Sequence, residues 1–233
     1  MNEIISFKNV SKKYLVGNKE VTVLNDITFS INKGEFVVIL GPSGSGKSTL
    51  LNLIGGIDRV NSGDIYINGN NIVKYNEKKL TSYRACDIGF VFQSYNLIPS
   101  LTILENIKVI DDIINRKSDA NLILKQVGLE HEANKFPNEL SGGEQQRISI
   151  ARALAKEPTI LLCDEPTGAL DTKNGVEILK LLKEHNEKNN TIIIVTHNEL
   201  ISQIASRIIK IKNGKIVENN LNKHPKQIDE VLW

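Results

Sequence analysis

The stretch FVVILGPSGSGKST, residues 36–49, constrains the fold of this chain more than any other feature. Five consecutive apolar residues, 36–40, are typical of a strand buried on both faces. The segment STLLNLIGG, residues 48–56, overlaps the end of the stretch and has the character of a helix. Between them, Gly41, Gly44 and Gly46 carry no side chains, so the loop can wrap a phosphate chain with its backbone N–H groups. The sequence therefore predicts a buried strand, a phosphate-binding loop and a helix whose start favours an anion.

Two residues at the end of this loop add chemistry to it. Lys47 is expected to neutralise the outer phosphates, and the Ser48 hydroxyl is expected to ligate Mg²⁺. A glycine-rich turn that merely joins a strand to a helix is the alternative, but the flanking strand and the Lys-Ser pair weigh against it. The predicted phosphate-binding residues are Gly41, Pro42, Ser43, Gly44, Ser45, Gly46, Lys47, Ser48 and Thr49.

Strands and helices alternate along much of the chain. The apolar runs ILLCD and IIIVT predict two further buried strands, and RISIARALAKE and GVEILKLLKEHNEK have helical character. This alternation predicts an α/β fold with a mainly parallel sheet. Near the N-terminus, IISFKNV and VLNDITFSI place apolar side chains at every second position over part of their length, which predicts an antiparallel β subdomain.

The middle of the chain, about residues 74–156, predicts a helical insertion. NEKKLTSYRA, SLTILENIKVIDDIIN and DANLILKQVGL show helical periodicity, and IGFVF is a short strand candidate. We expect a single domain over residues 1–233 with this helical subdomain inside it. The polar tail at 218–233 is either a docked terminal helix or a loose end.

Charge and apolar content argue against several classes of protein. Lys and Arg number 29 and Asp and Glu 27, and this net charge of +2 argues against nucleic-acid binding. The apolar runs are far shorter than a membrane span, and the first residues lack the apolar core of a signal peptide. Cys86 and Cys163 show no CxxC spacing, so a disulfide or zinc framework is not expected. A cytoplasmic location fits these features best.

Two adjacent acids lie at the end of the strand ILLCD, Asp164 as its last residue and Glu165 directly after it. Asp164 at the strand tip can hold Mg²⁺ through water, and Glu165 is then the candidate general base for an attacking water. By itself, a strand that ends in two acids is often only a solvated strand end. The phosphate-binding loop elsewhere in the chain makes the catalytic interpretation the stronger one.

The segment LSGGEQQR, residues 140–147, is not explained by a single phosphate loop. Ser141 can cap the helix that follows, and that alone would be a structural role. However, Gly142 and Gly143 leave the start of this helix bare, so a second anion could approach its N–H groups and the Ser141 hydroxyl. Two anion-binding loops with one set of Mg²⁺ ligands suggest that the second loop serves a neighbouring chain.

Taken in order, the phosphate loop, LSGGEQQR, ILLCDEP and His197 in VTHN resemble the nucleotide-binding subunit of ATP-binding-cassette (ABC) transporters, from about Ile4 to Val217. The resemblance implies a P-loop NTPase core, ATP hydrolysis with ATP and Mg²⁺ as cofactors, and a homodimer. In that family, the LSGGQ-like segment of one protomer covers the γ-phosphate held by the loop of the other. Glu144 stands where the commonest family pattern has glutamine, a tolerated variant because the Ser-Gly-Gly contact atoms are unchanged.

The same resemblance assigns roles to four further residues. Tyr14 matches the adenine-stacking position, and Gln93 in GFVFQSYN matches the glutamine that contacts Mg²⁺ or the attacking water. Asp171 in GALD matches the loop that links the two ATP sites across the dimer. His197 matches the switch histidine that contacts the γ-phosphate. Glu165, His197 and Gln93 are the predicted catalytic residues.

Narrower features resemble the ATPases that pair with FtsX-type permeases, such as those of lipoprotein release, macrolide export and antimicrobial-peptide resistance. The features are GPSGSGKSTLLNLIGGID, FVFQSYNLIPSLTILENI and DEPTGALD. The implied partner is an integral-membrane FtsX-like permease, and the chain itself is expected to be cytoplasmic and peripheral at the inner face of the cell membrane. Residues 95–101, with Leu97, Ile98, Pro99 and Leu101, either meet its coupling helix or belong to the subdomain core. The alternatives are a regulatory ATPase of envelope or division processes and a soluble ABC ATPase.

Overall fold

A computed structural model of the chain describes residues 3–233. Ten strands and six α-helices occur within these residues. In chain order they are β1 (Glu3–Val16), β2 (Lys19–Asn32), β3 (Phe36–Leu40), α1 (Lys47–Ile54), β4 (Ser62–Ile67), β5 (Asn70–Asn71), α2 (Glu77–Cys86), β6 (Ile88–Val91), α3 (Ile103–Ile114), α4 (Ala120–Gln126), α5 (Gly142–Leu154), β7 (Ile160–Asp164), α6 (Thr172–Glu187), β8 (Thr191–Thr196), β9 (Arg207–Lys212) and β10 (Lys215–Leu221).

The larger sheet has six strands in the order β10-β9-β3-β8-β7-β6, all parallel except the edge strand β10. Successive residues of β3 face opposite sides of this sheet. Val37 and Ile39 pack with α1, while Val38 and Leu40 pack with α6. Because both faces are covered, the strand must be apolar along its whole length, as the run FVVIL is. The prediction of an α/β fold with a mainly parallel sheet is confirmed.

The smaller sheet is antiparallel and has the order β2-β1-β4-β5. Phe7 of β1 and Phe29 of β2 stack with ring centroids 4.8 Å apart, and both belong to the cluster that includes the apolar face of α1. The predicted N-terminal antiparallel β subdomain is therefore present. It also includes β4 and β5, two strands that were not predicted from the sequence.

The region 74–156 divides between two parts of the molecule. Helices α3, α4 and α5 share a separate apolar cluster, which includes Ile107, Leu124 and Ile148. In contrast, Leu80 of α2 packs in the cluster of α1 and the antiparallel sheet. Strand β6 pairs with β7 in the larger sheet. The helical layer is thus formed by residues after β6.

The end of the chain is docked against α6. Residues 215–221 form β10, and a short 3-10 turn follows at Ile228–Glu230. Ile228 and Val231 are buried in the cluster that includes the inner face of α6, and Trp233 Nε1 donates a hydrogen bond to the Ile228 carbonyl at 2.9 Å. The tail is therefore neither a terminal α-helix nor loose. None of the helices within residues 3–233 has the length and apolar character needed to cross a membrane.

Candidate active site

A cavity of about 710 Å³ lies where β3, β7 and β8 end and α1 begins. Because the carboxyl ends of parallel strands meet at one edge of a sheet, segments far apart in sequence converge there. Val23 contributes from the antiparallel sheet. The predicted site residues that line the cavity are Ser43, Gly44, Gly46, Lys47, Ser48, Thr49, Gln93, Asp164, Glu165 and His197.

The loop between β3 and α1 depends on glycine at its last position. Gly46 has φ 103°, a left-handed conformation that favours glycine. A Cβ at this position would lie 2.7 Å from Leu24 Cδ2 and 2.9 Å from the Val23 carbonyl oxygen. The loop is thus pressed against β2 at this position.

Lys47 is held by the loop that precedes it. Its Nζ donates hydrogen bonds to the carbonyl oxygens of Gly41 at 2.7 Å and Pro42 at 3.1 Å. Only 8% of the residue is exposed, so its charge is weakly screened at the edge of the cavity. Gly41, Pro42 and Ser45 support the loop without lining the cavity.

Ser48 and Asp164 form a pair of oxygen donors suited to a divalent cation. The Ser48 hydroxyl donates to Asp164 Oδ1 at 3.2 Å. Burial raises the pKa of the Asp164 carboxyl, and the charge of Glu165 acts in the same direction, while Ser48 and Lys47 oppose it. Mg²⁺ takes hard oxygen ligands and binds through one or two carboxylates with water and phosphate, so this pair, with Gln93 on the same cavity, fits that ion.

Glu165 is held at two points beside the cavity. The Thr196 hydroxyl donates to Glu165 Oε2 at 2.9 Å, and His197 Nδ1 lies 2.9 Å from Oε1. The Glu165 side chain is 15% exposed and that of His197 is 71% exposed. Thr196 was not among the site residues predicted from the sequence. Its position at the strand end, directly before His197, is the signal that could have identified it.

Ser141, Gly142 and Gly143 lie at the start of α5 and do not line the cavity. Ser141 caps the helix: Glu144 N donates to its Oγ at 3.4 Å, and Glu144 Oε2 accepts from Ser141 N at 2.8 Å and Oγ at 2.7 Å. These hydrogen bonds from Ser141 lower the pKa of the Glu144 carboxyl. The two predicted anion-binding loops are therefore separate within one chain.

Both glycines of this segment pack against other elements of the same chain. A Cβ on Gly142 would lie 2.8 Å from the Tyr95 hydroxyl oxygen. A Cβ on Gly143 would lie 2.5 Å from Asn174 Oδ1 and 3.1 Å from Asn174 Cβ. The absence of side chains at these positions thus has a packing reason in addition to the predicted access for an anion.

Tyr14 and Asp171 also lie outside the cavity lining. The Tyr14 hydroxyl bonds to the Asp58 carboxylate, and Lys12 Nζ lies 4.6 Å from the centroid of its ring. Burial and then the hydrogen bond to Asp58 raise the pKa of Tyr14. Asp171 caps α6 by accepting a hydrogen bond from Asn174 N at 2.9 Å. The adenine-stacking role of Tyr14 and the cross-dimer role of Asp171 stay predictions.

A family model described as ABC transporter matches residues 24–168, more than half of the chain. The chain belongs to the ABC transporter family. The matched range includes the loop, the LSGGE segment, Asp164, which ends β7, and Glu165, which follows it, so the resemblance drawn from these motifs is confirmed.

Relatives of this ABC protein differ in how much of their length it spans. A putative ABC transporter ATP-binding protein of Mycoplasma genitalium is 44% identical over 99% of this chain, which spans 50% of that protein. The macrolide export ATP-binding/permease protein MacB of Haemophilus ducreyi is 45% identical, and this chain spans 32% of it. MJ0796 of Methanocaldococcus jannaschii, an ABC transporter ATP-binding protein, is 45% identical over 91% of this chain and 95% of its own length.

A solved structure supports the fold of this ABC protein. It is the dimeric post-hydrolysis state of the MJ0796 cassette bound to ADP and Pi. Its TM-score with this chain is 0.87 at 43% identity, and the match covers 93% of this chain and 98% of that one. The family and fold predicted from the sequence are therefore both confirmed.

Proposed function

We propose that this chain is the ATP-hydrolysing subunit of an ABC transporter, and that two copies close on two ATP molecules to drive a separate membrane permease. The convergence of residues 43–44 and 46–49, Gln93, Asp164, Glu165 and His197 on one cavity carries the proposal. A phosphate loop, a metal-binding pair and a carboxylate beside them are the parts that phosphoryl transfer to water requires.

The triphosphate binds along the loop between β3 and α1. Backbone N–H groups and the start of α1 face its negative charge. Lys47 exchanges its contacts with the Gly41 and Pro42 carbonyls for phosphate oxygens. Ser48 and Asp164, with Gln93, would hold Mg²⁺, and the bound ion would neutralise charge on the phosphoryl group. Tyr14 is proposed to stack on the adenine.

Glu165 acts as the general base. Its carboxylate accepts a proton from the attacking water while the water oxygen bonds to the γ-phosphorus. The bond from that phosphorus to the bridging oxygen breaks, and ADP leaves with the electron pair. His197 lies beside Glu165 and is exposed enough to contact the γ-phosphate.

A second copy of the chain completes each site. Because Ser141, Gly142 and Gly143 lie away from the cavity of their own chain, a head-to-tail dimer is needed to bring them onto a terminal phosphate. The N–H groups at the start of α5 then meet the anion. The solved MJ0796 cassette is a dimer, which supports this arrangement. Asp171 is proposed to link the two sites.

Replacement of Glu165 by Gln tests the enzyme and the dimer together. Glu165→Gln removes the base but keeps the shape of the side chain, so we expect Mg-ATP to bind while hydrolysis falls by at least about 100-fold. The variant should then accumulate as an ATP-bound dimer, which light scattering coupled to gel filtration would detect.

Glu184, an exposed glutamate on α6, provides the matched control for this test. Glu184→Gln should hydrolyse ATP at the parental rate. A Glu165→Gln protein that stays monomeric with ATP and turns over at the parental rate would show that the assignment of the base is wrong.

The permease partner is proposed to be FtsX-like, with the ATPase bound at the inner face of the cell membrane. The relative MacB, an ATP-binding/permease protein for macrolide export, supports a permease partner and an export function. A peptide, a lipid-linked molecule or a drug-like compound is the substrate class that fits this subgroup. A regulatory ATPase of envelope or division processes is the second candidate, because it would use the same ATP switch.

A further inference from the structure

Thr196 is a buried polar residue at the end of β8, and 1% of it is exposed. Its hydroxyl accepts a hydrogen bond from Asn198 N at 3.1 Å and donates one to Glu165 Oε2 at 2.9 Å. A hydroxyl has a single proton. Since the backbone N–H of Asn198 can only donate, that proton is directed at the carboxylate, and the direction of the contact is fixed.

The two oxygens of Glu165 therefore have different surroundings. Oε2 is bound by a buried hydroxyl on a strand. Oε1 lies 2.9 Å from Nδ1 of His197, whose side chain is 71% exposed. Buried contacts persist when exposed side chains move, so the bond to Thr196 is the fixed point of this carboxylate.

The backbone of Glu165 is held to β8, but its side chain is not fixed by that contact. Glu165 has φ 47°, and its N–H donates to the Val195 carbonyl at 3.0 Å. This hydrogen bond holds the backbone nitrogen of Glu165 against β8, but the side chain still has three rotatable bonds. A hydrogen bond from Thr196, one residue further along the same strand, restricts their rotation.

We infer that Thr196 is a positioning residue, which binds Oε2 of Glu165 so that Oε1 is directed toward the attacking water. This inference depends on the proposed role of Glu165 as general base. Thr196 does not touch the nucleotide in this scheme and acts through Glu165 alone. A misplaced base slows proton transfer without weakening ATP binding, so the effect belongs to kcat and not to KM.

Thr196→Val and Thr196→Ser separate the hydrogen bond from the packing. Valine keeps the shape of threonine but has no hydroxyl, whereas serine keeps the hydroxyl and loses a methyl group. For Thr196→Val, we expect kcat to fall about ten- to hundredfold, the usual effect of losing a hydrogen bond to a charged group. KM and the dissociation constant of Mg-ATP should stay within about twofold. Thr196→Ser should recover most of the kcat.

A double-mutant cycle with Glu165→Gln makes the test specific. If Thr196 acts only through Glu165, Thr196→Val should cause no further loss of activity in the Glu165→Gln background. The full chain is used throughout, with circular dichroism and thermal melting as checks on folding. Thr196→Ala replaces Thr196→Val if the valine variant does not fold.

Each outcome of this cycle has one meaning. Parental kcat in Thr196→Val, with Glu165→Gln inactive, would overturn the role of Thr196 and leave the proposed function intact. Equal losses in the valine and serine variants would also overturn it, because packing would then explain the effect. Parental activity in Glu165→Gln would instead contradict the assignment of Glu165 as general base, on which the role of Thr196 depends.

Discussion

Neighbouring side chains of the same type have different surroundings in this protein. Asp164 and Glu165 are adjacent acids, yet Asp164 bonds to Ser48 of α1 and Glu165 bonds to Thr196 of β8. Successive residues at a strand end point in different directions, so one acid faces the loop and the other faces the next strand. This local geometry supports the proposed roles of Asp164 as a metal ligand and Glu165 as a base, which stay predictions.

Burial also changes the acid strength of a residue outside the active site. Lys156 follows α5, and its Nζ donates to the Arg84 carbonyl at 2.8 Å. Burial lowers the pKa of Lys156 to about 8, with Cys86 opposing the shift and Arg152 reinforcing it. The unfolded chain therefore binds more protons than the native protein between about pH 8 and the usual lysine value near 10.5. Stability should rise with pH across this window.

Lys156→Met should remove that rise. We expect the free energy of unfolding, measured by urea denaturation at pH 7.5 and 9.5, to increase more between the two values in the parental protein than in the variant. The exposed Lys78 of α2 is the matched control, since Lys78→Met removes one charge without changing a buried group. The same pH dependence in the parental and Lys156→Met proteins would contradict the prediction.

At the scale of elements, helix α5 connects two parts of the predicted site. At its start, Gly142 packs against the Tyr95 hydroxyl. Near its end, Arg152 donates to the carbonyls of Asn96 at 2.8 Å and Tyr95 at 3.3 Å. Tyr95 and Asn96 have φ 61° and 52° and follow Gln93 closely in the chain. Both ends of α5 thus contact the segment after Gln93.

The contact between α5 and α6 leads to a prediction about Gly143. Gly143→Ala would place a Cβ 2.5 Å from Asn174 Oδ1 and 3.1 Å from Asn174 Cβ, so α5 and α6 must separate or the Asn174 side chain must turn. We expect a loss of about 1–3 kcal/mol in the free energy of unfolding, the usual cost of overpacking. Thermal or urea denaturation measures this change.

The double variant Gly143→Ala/Asn174→Ala should recover part of the loss, because it removes Oδ1 and Cγ of Asn174. Gly175, inside α6, is the matched control. A Cβ there would meet Thr167 at an ordinary 3.6 Å, so Gly175→Ala should be neutral or slightly stabilising. If Gly143→Ala and Gly175→Ala are equally stable, the proposed clash does not exist.

At the scale of the whole molecule, the segment between β6 and α3 is where a permease is proposed to bind. The fully buried Asn106 fixes this segment: its Oδ1 accepts from Ile98 N at 2.8 Å, and its Nδ2 donates to the carbonyls of Ile98, Leu101 and Thr102 at 3.0 Å. Leu97 packs partly against the helical layer, whereas Pro99 and Ser100 are exposed. One side of the segment therefore packs in the core of the helical subdomain, and the other side is exposed.

A charge on this surface should weaken capture of the permease. We expect Pro99→Asp to reduce the amount of membrane protein co-purified from detergent extracts about tenfold, without changing the ATPase rate of the isolated chain. Ser82→Glu, at an exposed position on α2, is the matched control. Equal capture by both variants would contradict the proposed docking surface, and co-purified ribosomes or DNA would favour a soluble ABC ATPase.

The sequence by itself determined the features of this protein that depend on the conformation and burial of a few consecutive residues. The loop at 41–49 requires glycines and a flanking strand and helix, and the run at 36–40 requires burial on both faces. The LSGGE segment similarly requires a cap at the start of a helix, which Ser141 provides. These requirements act over a few residues, so they can be recognised without the rest of the chain.

Only the tertiary structure decided which distant side chains meet. The bond of Thr196 to Glu165 spans 31 positions, and the approach of Gly143 to Asn174 and the docking of Ile228 on α6 also join separate elements. Strand β6 lies within the predicted helical region, but it pairs with β7 of the larger sheet. This pairing also joins segments that are far apart in the sequence. Such contacts depend on how whole elements pack against one another, and no periodicity within a single segment encodes that packing.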